Sequence, residues 1–243
     1  MGYMGRDVEV VSLDQNQYIV AACDSCGAAG SKEFDVVKVS PYIVGRFTAR
    51  VALFEITATE AKPLLITVSV ASEPDPTAKG ILEGVNDELK ALDLSGLPVA
   101  ISSEKNILTK QTGVGISAIG VCQKASLRIA TSKPGDKVYC LGLPKVGSEV
   151  VTPEDPEIVQ GKYIQTLLAS QGVHDIIPVG SRGIRGEIEL LADHVGCRFK
   201  PETDVKIDLD KSAGPSTCLI FACSQDVLPP NFPTTPLFKI GKI

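Results

Sequence analysis

Residues 41–71 read PYIVGRFTARVALFEITATEAKPLLITVSVA, and within this stretch the hydrophobic period changes from that of a helix to that of a strand. The helical stripe consists of Phe47, Val51, Phe54 and Ala58. This spacing predicts a helix over residues 41–61, which Pro63 ends because proline breaks the helical hydrogen-bond pattern. The β-branched run at 64–71 predicts a strand. The change of period indicates a protein of mixed α and β structure.

Helix and strand patterns continue to alternate on both sides of this stretch. Asp75 and Pro76 predict an N-cap and a first-turn proline for a second helix. The buried face of that helix consists of Ile81, Val85 and Leu89. Further strands are predicted at 35–40, 99–102, 114–121, 137–142, 205–209 and 216–223, and further helices at 156–170 and 184–195. Because the character of the chain changes around residues 124–136, we predict an α+β fold with two domains, 1–124 and 125–243.

Composition and charge exclude several classes of protein. The 243 residues carry 24 basic and 29 acidic side chains, for a net charge of −5, and no Lys/Arg cluster suited to a phosphate backbone occurs. Nucleic-acid binding is therefore unfavoured. No apolar run reaches the roughly 18–20 residues that span a bilayer, and residues 1–11 lack the hydrophobic region of a signal peptide. We expect a cytoplasmic protein without a membrane partner. The seven cysteines are an odd number, which argues against a disulfide framework.

Common catalytic signatures are absent. The segment GAAGSK at 27–32 lacks the spacing of a phosphate-binding P-loop, and no HExxH, GxSxG or GxGxxG motif occurs. His174 and His194 are the only histidines, so a histidine-rich metal site is excluded. Cys23 and Cys26 have the CxxC spacing of a zinc or redox motif, but no second CxxC accompanies them, and coincidence is the better interpretation.

Three carboxylates could have a functional role as well as a structural one. Asp24 follows an apolar stretch and precedes a loop of small residues, where it could hold Mg²⁺ or simply cap the loop. Glu55 flanks the helical stripe. Because an unpaired buried carboxylate is costly, its side chain must contact a cation or another partner, or lie at the surface edge of the stripe. Glu104 lies in SSEKN at 102–106, where a strand opens into a loop. Carboxylates that hold Mg²⁺ are what phosphoryl transfer requires, because that reaction needs positioning and charge neutralisation.

The order of these segments resembles the aminoimidazole ribonucleotide (AIR) synthetase superfamily. FEITATEAKP at 54–63 is similar to its NDI-A-x-x-GA-x-P segment, with Glu55 at the position of the metal-binding Asp. SSE at 102–104 resembles the GGD segment, with Glu104 in the Asp position. Three segments of the second half are also similar: KPGDKVYCLG at 133–142 to KPGD-x-hhhh-G, GIRGE at 183–187 to GGL-x-x-E, and IGKI at 240–243 to IG-x-V. The resemblance covers nearly the whole chain.

Within the superfamily, the α-ribazole kinases of cobalamin salvage resemble the chain most, through CDSCG at 23–27, DVVKV at 35–39 and VGRFTARVAL at 44–53. The resemblance implies a two-domain AIR synthetase-like fold, a homodimer whose N-terminal sheets join into a barrel, and ATP with Mg²⁺ bound beside it. Asp24, Glu55 and Glu104 would then hold metal and carry catalysis. The nucleotide and its phosphates would contact Ser25, Gly27, Gly30, Lys38 and Asn106.

The resemblance therefore predicts a kinase that transfers the γ-phosphate of ATP to the 5′-hydroxyl of α-ribazole. A thiamine monophosphate kinase or another ATP-dependent phosphotransferase is the first alternative. Glutamate at two metal positions, and Ser102 and Ser103 in place of glycines, support a second alternative, a nucleotide-binding protein without turnover. Selenophosphate synthesis would use Cys23 or Cys26 and is weakly supported. The hydrogenase maturation role is disfavoured, because that family ends in a reactive cysteine.

Overall fold

The computed structural model describes residues 2–150, 152–224 and 229–243. The first half of the chain forms a five-stranded sheet in the order β1-β2-β7-β5-β6 and a separate two-stranded pair, β3-β4. The strands are β1 (Val8–Ser12), β2 (Gln17–Gly27), β3 (Ala29–Gly30), β4 (Val37–Lys38), β5 (Lys62–Val70), β6 (Val99–Ser103) and β7 (Gly113–Gln123). The helices are α1 (Pro41–Ala58) and α2 (Lys79–Ala91).

The second half builds another five-stranded sheet, in the order β10-β12-β8-β11-β9. Its strands are β8 (Lys137–Leu141), β9 (Val173–Pro178), β10 (Lys200–Pro201), β11 (Leu219–Cys223) and β12 (Leu237–Lys242), and its helices are α3 (Gly161–Leu168) and α4 (Gly183–Val195). The α+β prediction is confirmed. The domain boundary at residue 124 stays a prediction.

Register in the first sheet sets the direction of each side chain near the site. β2 and β7 pair antiparallel along their whole length, and Asp24 lies opposite Ile116. Ile116 is fully buried against the helices, so Asp24 points to the helix side of the sheet. Cys23 and Ser25 lie on the other side, which we call the outer face. A one-residue slip of β2 would exchange these two sets of side chains.

Helix α1 lies between the two halves and is buried on almost every side. Pro41 begins it, and the Ser40 hydroxyl accepts a hydrogen bond from the N–H of Ile43 at 3.4 Å. Leu53 and Ile56 belong to the core of the first half. Phe54 and Ala58 instead pack in the core of the second half. The predicted stripe is therefore one of two apolar faces of this helix.

Helices α1 and α2 cross at two glycines. A Cβ on Gly45 would lie 2.1 Å from the carbonyl oxygen of Ile81, and a Cβ on Gly84 would lie 2.1 Å from that of Tyr42. Both positions therefore need glycine for the close approach of the backbones. Beside the crossing, the Glu88 carboxylate accepts hydrogen bonds from Arg46 Nε and Arg50 Nε, each at 2.8 Å.

Several boundaries differ from prediction. Helix α1 ends at Ala58, because Glu60 turns the chain with a φ of 67°, and Pro63 lies inside β5. Residues 205–209 are not a strand. Their alternating apolar side chains pack on the core of the second half, while Asp208 accepts backbone hydrogen bonds from Asp210 and Lys211 that form a turn. Helix α3 is shorter than the predicted 156–170.

In the described part of the chain, no helix is long and apolar enough to cross a membrane.

Candidate functional site

A cavity of about 980 Å³ lies between the two halves of the chain. The first half contributes residues of β1, β2 and α1 to its wall, and the second half contributes the loops around Ser181 and Ser212–Ser216. Asp24, Ser25 and Glu55 all line it. The structure therefore brings together three of the side chains that the sequence singled out.

Asp24 lies on β2 at the wall of this cavity. The pKa of its carboxyl is raised to about 6, mainly because the group is buried. A hydrogen bond from the Ser25 backbone N–H lowers the pKa in part, and the negative charge of Asp7 adds to the rise. The group is therefore mostly ionised at neutral pH. A cation beside it would recover part of the solvation that burial removed.

Glu55 is the most deeply buried carboxylate of the cavity wall, with 6% exposure. Burial raises its pKa to about 8, an effect that Arg6 opposes and that Asp7 and Glu187 reinforce. Its Oε2 lies 3.7 Å from Arg6 Nη2 and has no hydrogen-bond partner within the described residues. The sequence predicted Glu55 beside the apolar stripe of α1. In the structure the second half of the chain covers this side of the helix, so Glu55 is buried.

Arg6, Asp7 and Glu187 belong to the same charged cluster, and sequence reasoning did not select them. Arg6 is 1% exposed and donates through Nη2 to the carbonyl oxygen of Ile176 at 3.0 Å. Glu187 on α4 accepts from Arg182 at 3.0 Å, and burial raises its pKa. Arg6 and Asp7 lie in a short charged segment without a motif. Of these three residues, only Glu187 lies in a segment that resembles the superfamily, as the last residue of GIRGE at 183–187.

The loop that begins at Gly27, which is predicted to contact phosphate, is stabilised by hydrogen bonds from side chains. Asp35 accepts hydrogen bonds from the backbone N–H and the hydroxyl of Thr112, at 2.8 and 2.7 Å, and from the N–H of Lys32. Lys38 Nζ donates to the carbonyl oxygens of Lys32 and Glu33 at 2.6 and 3.1 Å. The amine of Lys38 therefore stabilises the loop in this structure. Gly27 ends β2, and Gly30 packs against Asp35 and Thr112.

Glu104 and Asn106 line a second, smaller cavity of about 580 Å³, together with Lys79 and Lys105. Glu104 Oε1 accepts hydrogen bonds from the backbone N–H groups of Asn106 and Ile107, at 2.6 and 3.1 Å. These bonds lower the pKa of Glu104, so the carboxylate is ionised at neutral pH. The structure thus separates Glu104 from the cavity that holds Asp24 and Glu55.

Within residues 2–150, 152–224 and 229–243, no three His, Cys, Asp or Glu side chains lie in a group that could hold a metal ion. Mg²⁺ commonly uses one or two carboxylates and takes its other ligands from water and substrate phosphates. Asp24 and Glu55 in one cavity and Glu104 in the other satisfy this smaller requirement. Glu55 Oε2 has no hydrogen-bond partner within the described residues, although the Arg6 guanidinium lies 3.7 Å from it. The metal assignment remains a prediction.

The two cysteines of the CxxC pair line the same cavity, but they lie on opposite faces of β2. Cys23 is exposed on the outer face, and Cys26 is half-buried on the helix side. Burial raises the pKa of the Cys26 thiol. A reactive or metal-binding cysteine requires the opposite shift, toward the thiolate.

Residues 5–122 match the family described as AIR synthase related protein, N-terminal domain. No curated protein matches the chain in sequence. Thiamine monophosphate kinase from Aquifex aeolicus is similar in structure at a TM-score of 0.64 and 12% identity, over 97% of this chain and 88% of that chain. AaThiL complexed with AMPPCP and TMP has a TM-score of 0.64 at 13% identity, over 98% and 84%. T. maritima PurL complexed with ATP has a TM-score of 0.61 at 16% identity, over 99% of this chain and 38% of that chain.

The chain thus spans most of the length of the kinase and little more than a third of PurL. At these identities the likeness establishes the fold. The chain has the AIR synthetase-like fold that the motifs predicted.

Proposed function

We propose that this chain is an ATP-dependent kinase that transfers the γ-phosphate of ATP to the 5′-hydroxyl of α-ribazole. The observation that carries the proposal is a large cavity between the halves, walled by Asp24 and Glu55, in a fold whose structural neighbours are complexed with ATP or AMPPCP. The motifs at 23–27, 35–39 and 44–53 support the acceptor.

The proposed roles follow from position and charge. Asp24 and Glu55 hold a cation at the reacting phosphoryl group, and Glu104 with Asn106 binds the nucleotide or its metal at the smaller cavity. Mg²⁺, when bound, neutralises the charge that spreads over the phosphoryl oxygens during transfer. Ser25 and the backbone between Gly27 and Gly30 face the phosphates, and Lys38 serves by holding this loop in shape.

The apolar side chains of the large cavity favour an acceptor with an aromatic ring. Its apolar wall includes Val39, Val44, Phe47 and Ile119, which suit an aromatic heterocycle. The charged or acidic side chains of its wall are those of Arg6, Asp7, Glu9, Asp24 and Glu55.

The likeness to thiamine monophosphate kinase favours that activity as the second candidate. The glutamates and serines at the acidic motifs favour nucleotide binding without turnover as the third. In each case the chain is proposed to act as a cytoplasmic homodimer, with the outer face of the first sheet as the contact, and with domains at 1–124 and 125–243.

The deciding experiment incubates the purified chain with ATP and Mg²⁺, with and without α-ribazole, and detects α-ribazole phosphate by mass spectrometry. We expect product only when ATP, Mg²⁺ and α-ribazole are all present. ATP consumption with thiamine monophosphate but not with α-ribazole would move the assignment to the second candidate. ATP binding without any product from either acceptor would favour the third candidate, a nucleotide-binding protein without turnover.

A further inference from the structure

The guanidinium of Arg6 is a buried cation that no step of the proposed reaction uses. Arg6 is 1% exposed, and its Nη2 donates to the carbonyl oxygen of Ile176. Its Nε and Nη1 have no hydrogen-bond partner within the described residues. A buried charged donor without a hydrogen-bond partner is costly. The presence of two such donors beside a cavity therefore points to a ligand that accepts hydrogen bonds from them.

Arg6 is also the only cationic side chain among the described residues that line the large cavity. The acidic side chains that line the cavity with it are Asp7, Glu9, Asp24 and Glu55. The contact with Glu55 is 3.7 Å, which is too long for a hydrogen bond. An anion that entered the cavity would therefore find its single positive charge at Arg6.

The second half of the chain presents neutral donors to the same cavity. Gly180 and Ser181 precede α4, whose N-terminus favours negative charge. Ser181 is exposed and Ser216 is buried, and both line the cavity. Arg6 also acts electrostatically on Glu187 in the second turn of α4, which indicates that the guanidinium lies close to this helix.

We infer that Arg6 and Ser181 bind a phosphoryl group of the reactants, as a cation on one side and a hydroxyl with a helix N-terminus on the other. Guanidinium and hydroxyl donors are the usual partners of phosphate oxygens. The assignment rests on the proposed phosphoryl transfer for its biological role. In that reaction the bond from the γ-phosphorus to the β–γ bridging oxygen breaks. A bond to the acceptor oxygen forms, and the acceptor proton leaves to solvent while ADP is released. Arg6 contacts the transferred group throughout.

The test measures binding without turnover. Isothermal titration with inorganic phosphate compares the wild-type chain with Arg6→Gln, Arg6→Lys and Ser181→Ala. Arg128→Gln and Ser126→Ala are the controls, since Arg128 pairs with Glu60 and Ser126 with a backbone carbonyl outside the cavity. We expect Arg6→Gln to weaken phosphate binding roughly tenfold or more, and Ser181→Ala to weaken it a few-fold. Arg6→Lys should retain part of the affinity and the controls all of it.

Wild-type affinity in a folded Arg6→Gln variant, or no phosphate binding by the wild type, would overturn the inference. Should Arg6→Gln fail to fold by circular dichroism, the exposed Ser181→Ala variant decides. Parallel titrations with AMPPCP·Mg²⁺ and ribose 5-phosphate identify the source of the phosphoryl group. An effect on the first alone assigns the γ-phosphate, and an effect on the second alone assigns the product ester. Arg6-dependent phosphate binding without phosphorylation of α-ribazole would reject the proposed function and leave the anion site standing.

Discussion

At the scale of single residues, burial explains why the candidate carboxylates behave differently. Glu55 is enclosed between the halves, and its pKa is raised to about 8. Asp24 is partly enclosed, with a pKa of about 6. Glu104 is half-buried and held ionised by two backbone N–H groups. Only the last two are charged at neutral pH without a cation, so a metal ion would have to displace a proton from Glu55.

Removal of charge from the proposed metal ligands should reduce turnover without loss of the fold. Glu55→Gln and Glu104→Gln each keep the shape of the side chain, so we expect a decrease in Mg²⁺-dependent kcat of roughly 10²–10³-fold. Glu83→Gln, at an exposed position on α2, is the matched control. Wild-type rates in both variants would remove Glu55 and Glu104 from the site.

The raised pKa of Glu55 also predicts how stability depends on pH. The folded state holds the Glu55 proton up to about pH 8, whereas the unfolded chain releases it near pH 4.5. The stabilising contribution is therefore fully present below about pH 4.5 and is lost as the pH rises through about 8. We expect the free energy of unfolding, from urea titrations between pH 5 and pH 8, to decrease by a few kcal/mol. Glu55→Gln should flatten this decrease, and an equal slope in that variant would contradict the assignment.

The cysteines of the CxxC pair should be dispensable. Cys23 and Cys26 point to opposite faces of β2, and the thiol pKa of Cys26 is raised. We expect the double variant Cys23→Ser with Cys26→Ser to keep its kcat within about twofold, because a serine hydroxyl replaces each thiol at nearly the same size. Turnover of ATP with α-ribazole is the measurement, and a folded but inactive double variant would revive the cysteine-based alternatives.

At the scale of elements, α1 owes its position to what surrounds it rather than to one amphipathic stripe. Its Leu53 side packs on the first sheet and its Phe54 side on the second half. The glycine crossing brings α2 close enough for Glu88 to meet both Arg46 and Arg50. Arg50 in turn donates to the carbonyl oxygen of Pro153 at 3.1 Å, so the network also ties α1 to the second half.

Breaking this buried network should be strongly destabilising. Glu88→Gln leaves the buried guanidinium of Arg50 without its carboxylate, since Glu88 and Arg50 are each 1% exposed. Arg46 keeps its ion pair with Glu154. We expect the free energy of unfolding in urea to fall by about 3–5 kcal/mol. Glu83→Gln, which removes the same charge from an exposed position of the same helix, should change it by less than about 0.5 kcal/mol. Equal small effects would mean that the network contributes little.

At the scale of the whole molecule, the cavity exists because the two halves face each other across α1. Its wall needs β2 and α1 from the first half and the loops before and after α4 from the second. The cavity also reaches Ala21 and Ile119 on the outer face of the first sheet. A second copy on that face would therefore close the cavity further, which links the proposed dimer to the proposed site.

The dimer can be tested by a charge on the outer face. Thr67 lies opposite Ser117 in the β5–β7 pair and is half-buried. Thr67→Arg places a cation in the middle of the proposed contact, so we expect a change from dimer to monomer in light scattering after size exclusion, with the circular dichroism spectrum unchanged. Glu83→Arg, on an exposed helix surface, should leave the dimer intact. A wild-type monomer at micromolar concentration would reject the dimer itself.

The sequence by itself determined the mixed α and β class, the order of most elements and the AIR synthetase-like fold, because hydrophobic period, turn residues and collinear motifs are local properties. Only the tertiary structure decided which of the chosen residues meet. It enclosed Glu55 beside Arg6, whose sequence segment shows no pattern, and it separated Glu104 from Asp24 by directing them to different cavities. It also made an irregular segment of 205–209, whose alternation reflects packing without a partner strand. Burial, charge and shared cavities depend on contacts between distant parts of the chain, and periodicity within a segment does not contain them.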